Sequence, residues 1–361
     1  MQEISGKIEL EDMNRSALLQ GRQGPARIMD VAQRAGVSLK SVSRVINNEP
    51  HVTPKLRAKV ETAIRELNYI PDTAARSLAG ARSFTVGILF DNPSPNYTME
   101  AMGGAYRACQ NRGYHLRIDH VNSDVPDDSF AEQLDAVLRN SRNDGFVLTP
   151  PLSDDPRVLD DFDQRGVKYV RVAPVDRGDR SPCVFIDDAE AAAELARYLW
   201  DRGHRRFGMI CGPARHGASA DRRAGFVGQL KALDPEIEIA AVNGDFEFAS
   251  GIEGGRKLLA SPDRPTAIFA ANDDMAAGAM VACAQAGLSI PGDVSICGFD
   301  DSWVAKSVWP YLTTIYQPIA EMADVAVNLL LNRDFDKAAQ TARKLEYRLV
   351  ERASVASPLQ S

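Results

Sequence analysis

The sequence predicts an α/β protein: a small N-terminal three-helix head with the spacing of a helix-turn-helix, followed by a two-lobed core of doubly wound parallel sheets. Two patterns carry this. Between Ile28 and Leu67 apolar residues recur at helical spacing in three short runs, and from Phe84 onward short apolar strands alternate with amphipathic helices. Charge separates the same two parts: residues 22–82 sum to +6 and everything after them to −11, within a total of −7. A basic head on an acidic body suits a head that meets a polyanion while the body stays off it.

Residues 1–26 carry acids early and have no uninterrupted apolar stretch, so they read as a mobile tail and not as a secretory signal. In the head, Ile28, Val31, Ala32 and Ala35 share one helical face, and Gly36 ends that helix. Ser38 caps a second helix that buries Val42, Val45 and Ile46. Thr53 caps a third, with Pro54 at its first position and Leu56, Val60, Ala63, Ile64 and Leu67 inward. After Pro71, "TAARSLAG" offers only about two turns before Gly80. A helix that short does not hold alone in water, where roughly 12–15 residues are needed.

The core begins with "FTVGILF" at Phe84 and continues through "YHLRIDHV", "DGFVLTP" and "VKYVRVAP", with helices near "MEAMGGAYRACQNRG" and "FAEQLDAVLRN". The rhythm resumes with helices in "AEAAAELARYLW", "RRAGFVGQLKAL", "ASGIEGGRKLLA" and "DMAAGAMVACAQAG", and strands in "RRFGMIC", "IEIAAVNGDF", "TAIFAAN" and "DVSICGFD". Such alternation builds βαβ units on parallel sheets, and two series of it build two lobes. Ligands of open parallel sheets bind beyond the carboxyl ends of the strands. Asp91, Asn272, Asp273, Asp300 and Asp301 stand at those ends.

Several function classes are excluded. No apolar run approaches the roughly 20 residues of a membrane span. The five cysteines are scattered without a CxxC, as expected of reduced core thiols in the cytoplasm. There is no GxGxxG after a strand, no P-loop and no GxSxG elbow, and the histidines lack metal spacing. No cofactor, metal or catalytic residue is expected.

The run "DVAQRAGVSLKSVSRVINNEPHVTPKLRAKVETAIRELNYIPDTAARSLAG", together with "RRAGF", "ANDDMAAGAM", "IPGDVSICGFDD", "YLTTIYQP" and "LVERAS", resembles the lac repressor family of bacterial transcription regulators from about Ile28 to Ser354. The resemblance implies a DNA-reading head over 27–71, a hinge helix and linker over 72–82, and a periplasmic-binding-protein-like core. Its first lobe would span 83–185 and 318–340, its second 186–317 and 341–361. It implies a homodimer on pseudo-palindromic double-stranded operator DNA and no membrane partner. No apolar heptad follows Ser354, so no coiled coil is expected there.

By resemblance Leu39, Lys40 and Arg44 read bases from the exposed face of the second helix. Lys40 and Arg44 favour guanine, whose O6 and N7 accept hydrogen bonds, and Leu39 suits a thymine methyl. Ser41 shares that face. Ser43, Asn47 and His51 anchor phosphate, and Tyr69 is counted with the DNA contacts. Leu78 wedges into the minor groove, and Ala75 lets paired hinge helices approach closely. An effector that parts the first lobes would melt the hinge and change operator affinity.

For the effector, the resemblance assigns Arg222, Asn272 and Asp300 as polar contacts and Phe246 as the aromatic wall, with Asp91 and Tyr97 from the first lobe and Gln317 from the crossover. These groups suit a sugar: Arg donates a fork, Asp accepts from paired hydroxyls, and an aromatic covers the apolar ring face. A purine or nucleoside is the alternative, and a solute-binding protein or an enzyme on the same core is less favoured. Two departures from the family pattern bear on the ligand. Ala173 and Pro174 stand where relatives end a strand on an acidic residue, and Asp187 and Asp188 replace the common Asp-Asn.

Overall fold

Each helix of the head is fixed by its ends. The computed structural model describes residues 26–46, 51–69, 82–139, 142–177, 180–332, 334–335 and 341–358, and the chain divides into two units, 1–83 and 84–361. Helix α1 (Ile28–Ala35) opens where Arg27 N donates to Asp30 Oδ2 at 2.8 Å. It closes at Gly36, whose φ of 62° lies in the left-handed region that a residue without Cβ enters freely. Helix α2 (Leu39–Ile46) is capped by Ser38 Oγ, which accepts from Ser41 N at 3.1 Å. Helix α3 (Pro54–Glu66) is capped by Thr53 Oγ1, which accepts from Leu56 N at 3.3 Å. Their inward faces meet in one core of Val31, Ala32, Ala35, Val42, Val45, Val60, Ala63 and Tyr69. Asn47 and hinge residues 72–81, with Ala75 and Leu78, lie outside the described residues.

Among its described residues the second unit carries two six-stranded sheets. In the first lobe, β1 (Thr85–Phe90), β2 (His115–His120), β3 (Phe146–Leu148), β4 (Tyr169–Val172) and β5 (Cys183–Phe185) alternate with α4 (Pro95–Asn111), α5 (Asp127–Arg139) and α6 (Pro156–Arg165). Helix α6 and strand β5 are absent from the sequence-based expectation, although α6 carries full local signals: Asp155 caps it, Pro156 opens it and Gly166 at φ 64° ends it.

The chain then crosses into the second lobe. There α7 (Asp188–Asp201), β6 (Phe207–Cys211), α8 (Gly217–Leu233), β7 (Ile239–Asn243), α9 (Phe248–Leu259), β8 (Ala267–Ala270), α10 (Asp273–Gln285), β9 (Ser295–Asp300) and β10 (Thr313–Tyr316) follow in order. The chain returns as α11 (Ile319–Leu330), which packs on α4 of the first lobe.

The last crossing corrects the domain boundary. Strand β11 (Ala342–Lys344) pairs in parallel with β5, so residues expected in the second lobe complete the first sheet, in the order β11-β5-β4-β3-β1-β2. Only β12 (Arg348–Val350) joins the second, antiparallel to β10, in the order β12-β10-β9-β8-β6-β7. The reason is positional: α11 lies on the first lobe, where the free edge of β5 is open to pairing. All five cysteines are free and buried, and no described helix is long and apolar enough to cross a membrane.

Close helix packing sets the site. A Cβ on Gly225 of α8 would collide with the Ala189 carbonyl of α7, so the two helices meet where α8 carries no side chain. Helix α8 carries Arg222 and α7 begins at Asp188. Gly225→Ala is expected to force the helices apart and cost about 1–3 kcal/mol, as overpacking does. A lower denaturation midpoint with an unchanged slope would show it.

Candidate functional site

The carboxyl ends of both sheets face a cleft between the lobes, and one guanidinium organises it. Arg222 is 4% exposed. Its Nε donates to Asp188 Oδ1 at 2.8 Å, Nη1 to the Ala271 carbonyl at 2.6 Å and Nη2 to Gln317 Oε1 at 2.9 Å. Its plane lies 3.6 Å over the Phe299 ring, and Asp300 Oδ1 stands 3.8 Å from Nη1. A buried guanidinium demands this many acceptors, because an unpaired buried charge costs several kcal/mol. Burial raises the carboxyl of Asp188, with Arg222 opposing.

Asn272 does two things at once. Its Oδ1 accepts from Met275 N at 2.9 Å and caps α10, while its Nδ2 donates to the Phe246 carbonyl at 2.8 Å. That bond holds Phe246 at φ 71°, with its ring edge-on to His216 at 5.3 Å between centroids. Asp300 ends β9 at φ 111°. Burial holds its carboxyl well above the usual range; Arg222 opposes, and Asp273, Asp274 and Asp188 add to the rise.

These residues line a cleft with about 370 Å³ of empty space, part of it open to solvent. Tyr97, Arg222, Phe246, Asn272, Asp300 and Gln317 all reach it, as does Ala173. Three buried polar atoms in its wall have no hydrogen-bond partner: Tyr97 Oη, His216 Nε2 and Asp300 Oδ1. Buried polar atoms are nearly always paired, so three orphans lining one space mark where a polar ligand binds. Burial raises the Tyr97 phenol above its ordinary value, with Asp300 and Asp188 adding to it. The phenol therefore stays protonated and able to donate.

Asp91 is a correction. It does not line the cleft; its Oδ2 accepts from Ser123 N at 2.8 Å and Ser123 Oγ at 2.5 Å, and Oδ1 faces His120 Nε2 at 3.3 Å. The following turn turns Asn92 and Ser94 to the cleft instead. Sequence reasoning also missed His216 and the role of Asp188. His216 is 1% exposed and is pushed down to about 4 by burial, with the charges of Arg215 and Arg222 assisting. No motif or spacing marks it in "CGPARHGAS", because it reaches the cleft only through the turn that precedes α8.

In the head, Leu39, Lys40 and Arg44 project from α2 as exposed side chains, whereas Ser41 and Ser43 are half-buried. Ser41 Oγ shares a 2.9 Å hydrogen bond with Ser38 Oγ. His51 is exposed at φ 71°. Tyr69, counted with the DNA contacts, is 9% exposed and packs its ring into the apolar core of the head.

No described group of three or more His, Cys, Asp or Glu could hold a metal ion. Residues 27–72 match the family of bacterial regulatory proteins, lacI family, and residues 196–355 match the periplasmic binding protein-like domain. The ribose operon repressor of Escherichia coli K12 is 35% identical over 334 residues, 91% of this chain and 99% of that protein. The HTH-type transcriptional repressor PurR of Proteus mirabilis is 37% identical over 343 residues, 92% of this chain and 97% of its own. The lac repressor dimer bound to operator and the anti-inducer ONPF superposes with a TM-score of 0.75 at 28% identity, covering 92% of this chain and all of that one. With a head that presents α2 outward and a core shaped around a small-molecule cleft, the chain belongs to the lacI family of bacterial regulatory proteins: it is a DNA-binding transcriptional repressor and not an enzyme.

Proposed function

We propose that this repressor acts in the cytoplasm as a homodimer on a pseudo-palindromic operator, and that an uncharged, unphosphorylated sugar in the cleft controls its operator affinity. The supporting observation is the trio of unpartnered atoms on Tyr97, His216 and Asp300 beside the Phe246 ring. A phenol donor, an imidazole nitrogen and a carboxylate oxygen match a row of hydroxyls, each of which donates and accepts. Phosphate fits poorly. The lining holds no lysine, and its guanidinium is already bonded to Asp188, Ala271 and Gln317.

A purine is the second reading, favoured by the 37% identity to PurR and by the aromatic rings of Tyr97 and Phe246 in the lining. A thermal-shift screen of D-ribose, other mono- and disaccharides, hypoxanthine and guanine separates the two. At about 100 Kd a true effector adds about 2.7 kcal/mol. The expected result is stabilisation by a sugar that vanishes in Arg222→Ala; a response to purines alone overturns the sugar.

Lys40→Ala is expected to relax preference at one base pair per half-site by about 1–3 kcal/mol. Selection from a randomised palindromic DNA pool reads this out, and an unchanged preference removes Lys40 from the readers.

The histidine makes a pH prediction. Because the folded His216 titrates near 4 and an unfolded one near 6.5, its neutral form is retained above that range. The unfolded chain takes up the proton first as pH falls, so stability is lost between about 6.5 and 4. His216→Gln is expected to lose less stability than wild type across that window, by a few kcal/mol, in denaturant titrations at each pH.

A further inference from the structure

The NDD triplet that opens α10 sends its three side chains in three directions. Asn272 lines the cleft. Asp273 turns inward, where Oδ1 accepts from Thr314 Oγ1 at 2.6 Å and Oδ2 from Ser302 N at 2.7 Å. Asp274 crosses to the other lobe: Oδ2 accepts from Ser94 Oγ at 2.9 Å and Oδ1 from Asn96 Nδ2 at 2.5 Å. We propose that Asp274 is a clasp, a positioning residue whose carboxylate holds the two lobes closed through Ser94 and Asn96 and so sets effector affinity from outside the ligand pocket.

Both donors are built to make this contact. Ser94 caps α4, and its Oγ accepts from Tyr97 N at 3.3 Å, which leaves its hydroxyl proton for Asp274. Ser94 N is itself held by Asn92 Oδ1 at 2.9 Å. Ser94 and Asn96 are only 3% and 8% exposed. The carboxylate also faces the N-terminal turns of α4 and of its own helix, whose dipoles favour negative charge.

Among the described residues two ion pairs also span the cleft, and both are weaker candidates. Arg215 meets Asp124, which is 68% exposed. Arg177 stands 3.8 Å from Asp221, each about a third exposed. Solvent screens such pairs to little effect, whereas the Asp274 carboxylate is half-buried and takes two hydrogen bonds from buried donors, a geometry that exposed pairs lack.

Asp274 does not line the pocket, so its loss removes no ligand contact. It weakens the closed state that retains a ligand once bound through the open lobes, so the complex reopens and releases it more often, and apparent affinity falls through the off-rate. Tyr97 is one residue beyond Asn96, and Asn272 two before Asp274. The clasp therefore fixes one polar ligand contact on each lobe.

The inference rests on the cleft being an effector site, and the first test does not need the effector. Spin labels at exposed Asp128 and Glu247, one per lobe, report the inter-lobe distance in the ligand-free full-length chain, diluted with unlabelled chains. Wild type is expected to give one short distance. Asp274→Ala should add a longer one, Asn96→Ala, which keeps the Ser94 bond, a smaller share of it, and the double variant should look like Asp274→Ala, with circular dichroism unchanged. Distances identical to wild type in both single variants overturn the clasp.

D-ribose then serves as the probe of affinity. The expected result is an off-rate about tenfold faster in Asp274→Ala, about 1.4 kcal/mol, with the on-rate unchanged. An unchanged off-rate overturns the affinity role. Silence from ribose in wild type, with clasp-dependent distances intact, counts against that sugar and supports the clasp.

Discussion

Arg222 enters the interior as a permanent cation, and the second lobe is arranged around satisfying it. Its three hydrogen bonds reach the first residue of α7, the end of β8 and the crossover after β10, while Phe299 at the end of β9 lies under its plane. One side chain thus ties together the separate segments that enclose the ligand. Removing Asp188 would leave the guanidinium buried and short of a counter-charge, a loss of about 3–5 kcal/mol for pairs of this kind. Asp188 in place of the Asn common in the resembling family is therefore a charge decision: it makes the Arg222 site a hydrogen-bonded ion pair and leaves Asp300 with an oxygen that faces Arg222 at 3.8 Å without a hydrogen bond.

That spare oxygen links packing to ligand chemistry. The neutral imidazole of His216 and the protonated phenol of Tyr97 are kept so by burial. Beside the compensated charge of Arg222, the pocket wall thus presents an imidazole and a phenol that hydrogen-bond without carrying charge, which suits an uncharged ligand more than an anion. The two hydrogen bonds of Asn272 bind the cap of α10 to the backbone of Phe246, so the polar and aromatic sides of the pocket are set by one residue.

The head obeys a simpler logic. Eight residues of α2 must place Val42 and Val45 inward, and helical geometry then leaves Leu39, Lys40 and Arg44 outside with no further instruction. Tyr69 shows the limit of this argument. It follows α3 in an irregular turn, where no periodicity says which way a ring points, and the apolar core claims it.

The sequence by itself determined the three head helices, the two strand-helix series and the cleft residues Tyr97, Arg222, Phe246, Asn272, Asp300 and Gln317. These follow from caps, period and strand ends, or from a resemblance carried by contiguous motifs. Even α6 was legible in its Asp-Pro start and Gly stop. Only the tertiary structure decided the rest. Strand β11 takes its lobe from which sheet edge is free, Asp91 is turned aside by Ser123 and His120, and His216, Asp188 and Asp274 acquire their roles from residues up to 180 positions away. Side-chain partners at such separation depend on strand order and lobe closure, which leave no periodic trace in a chain.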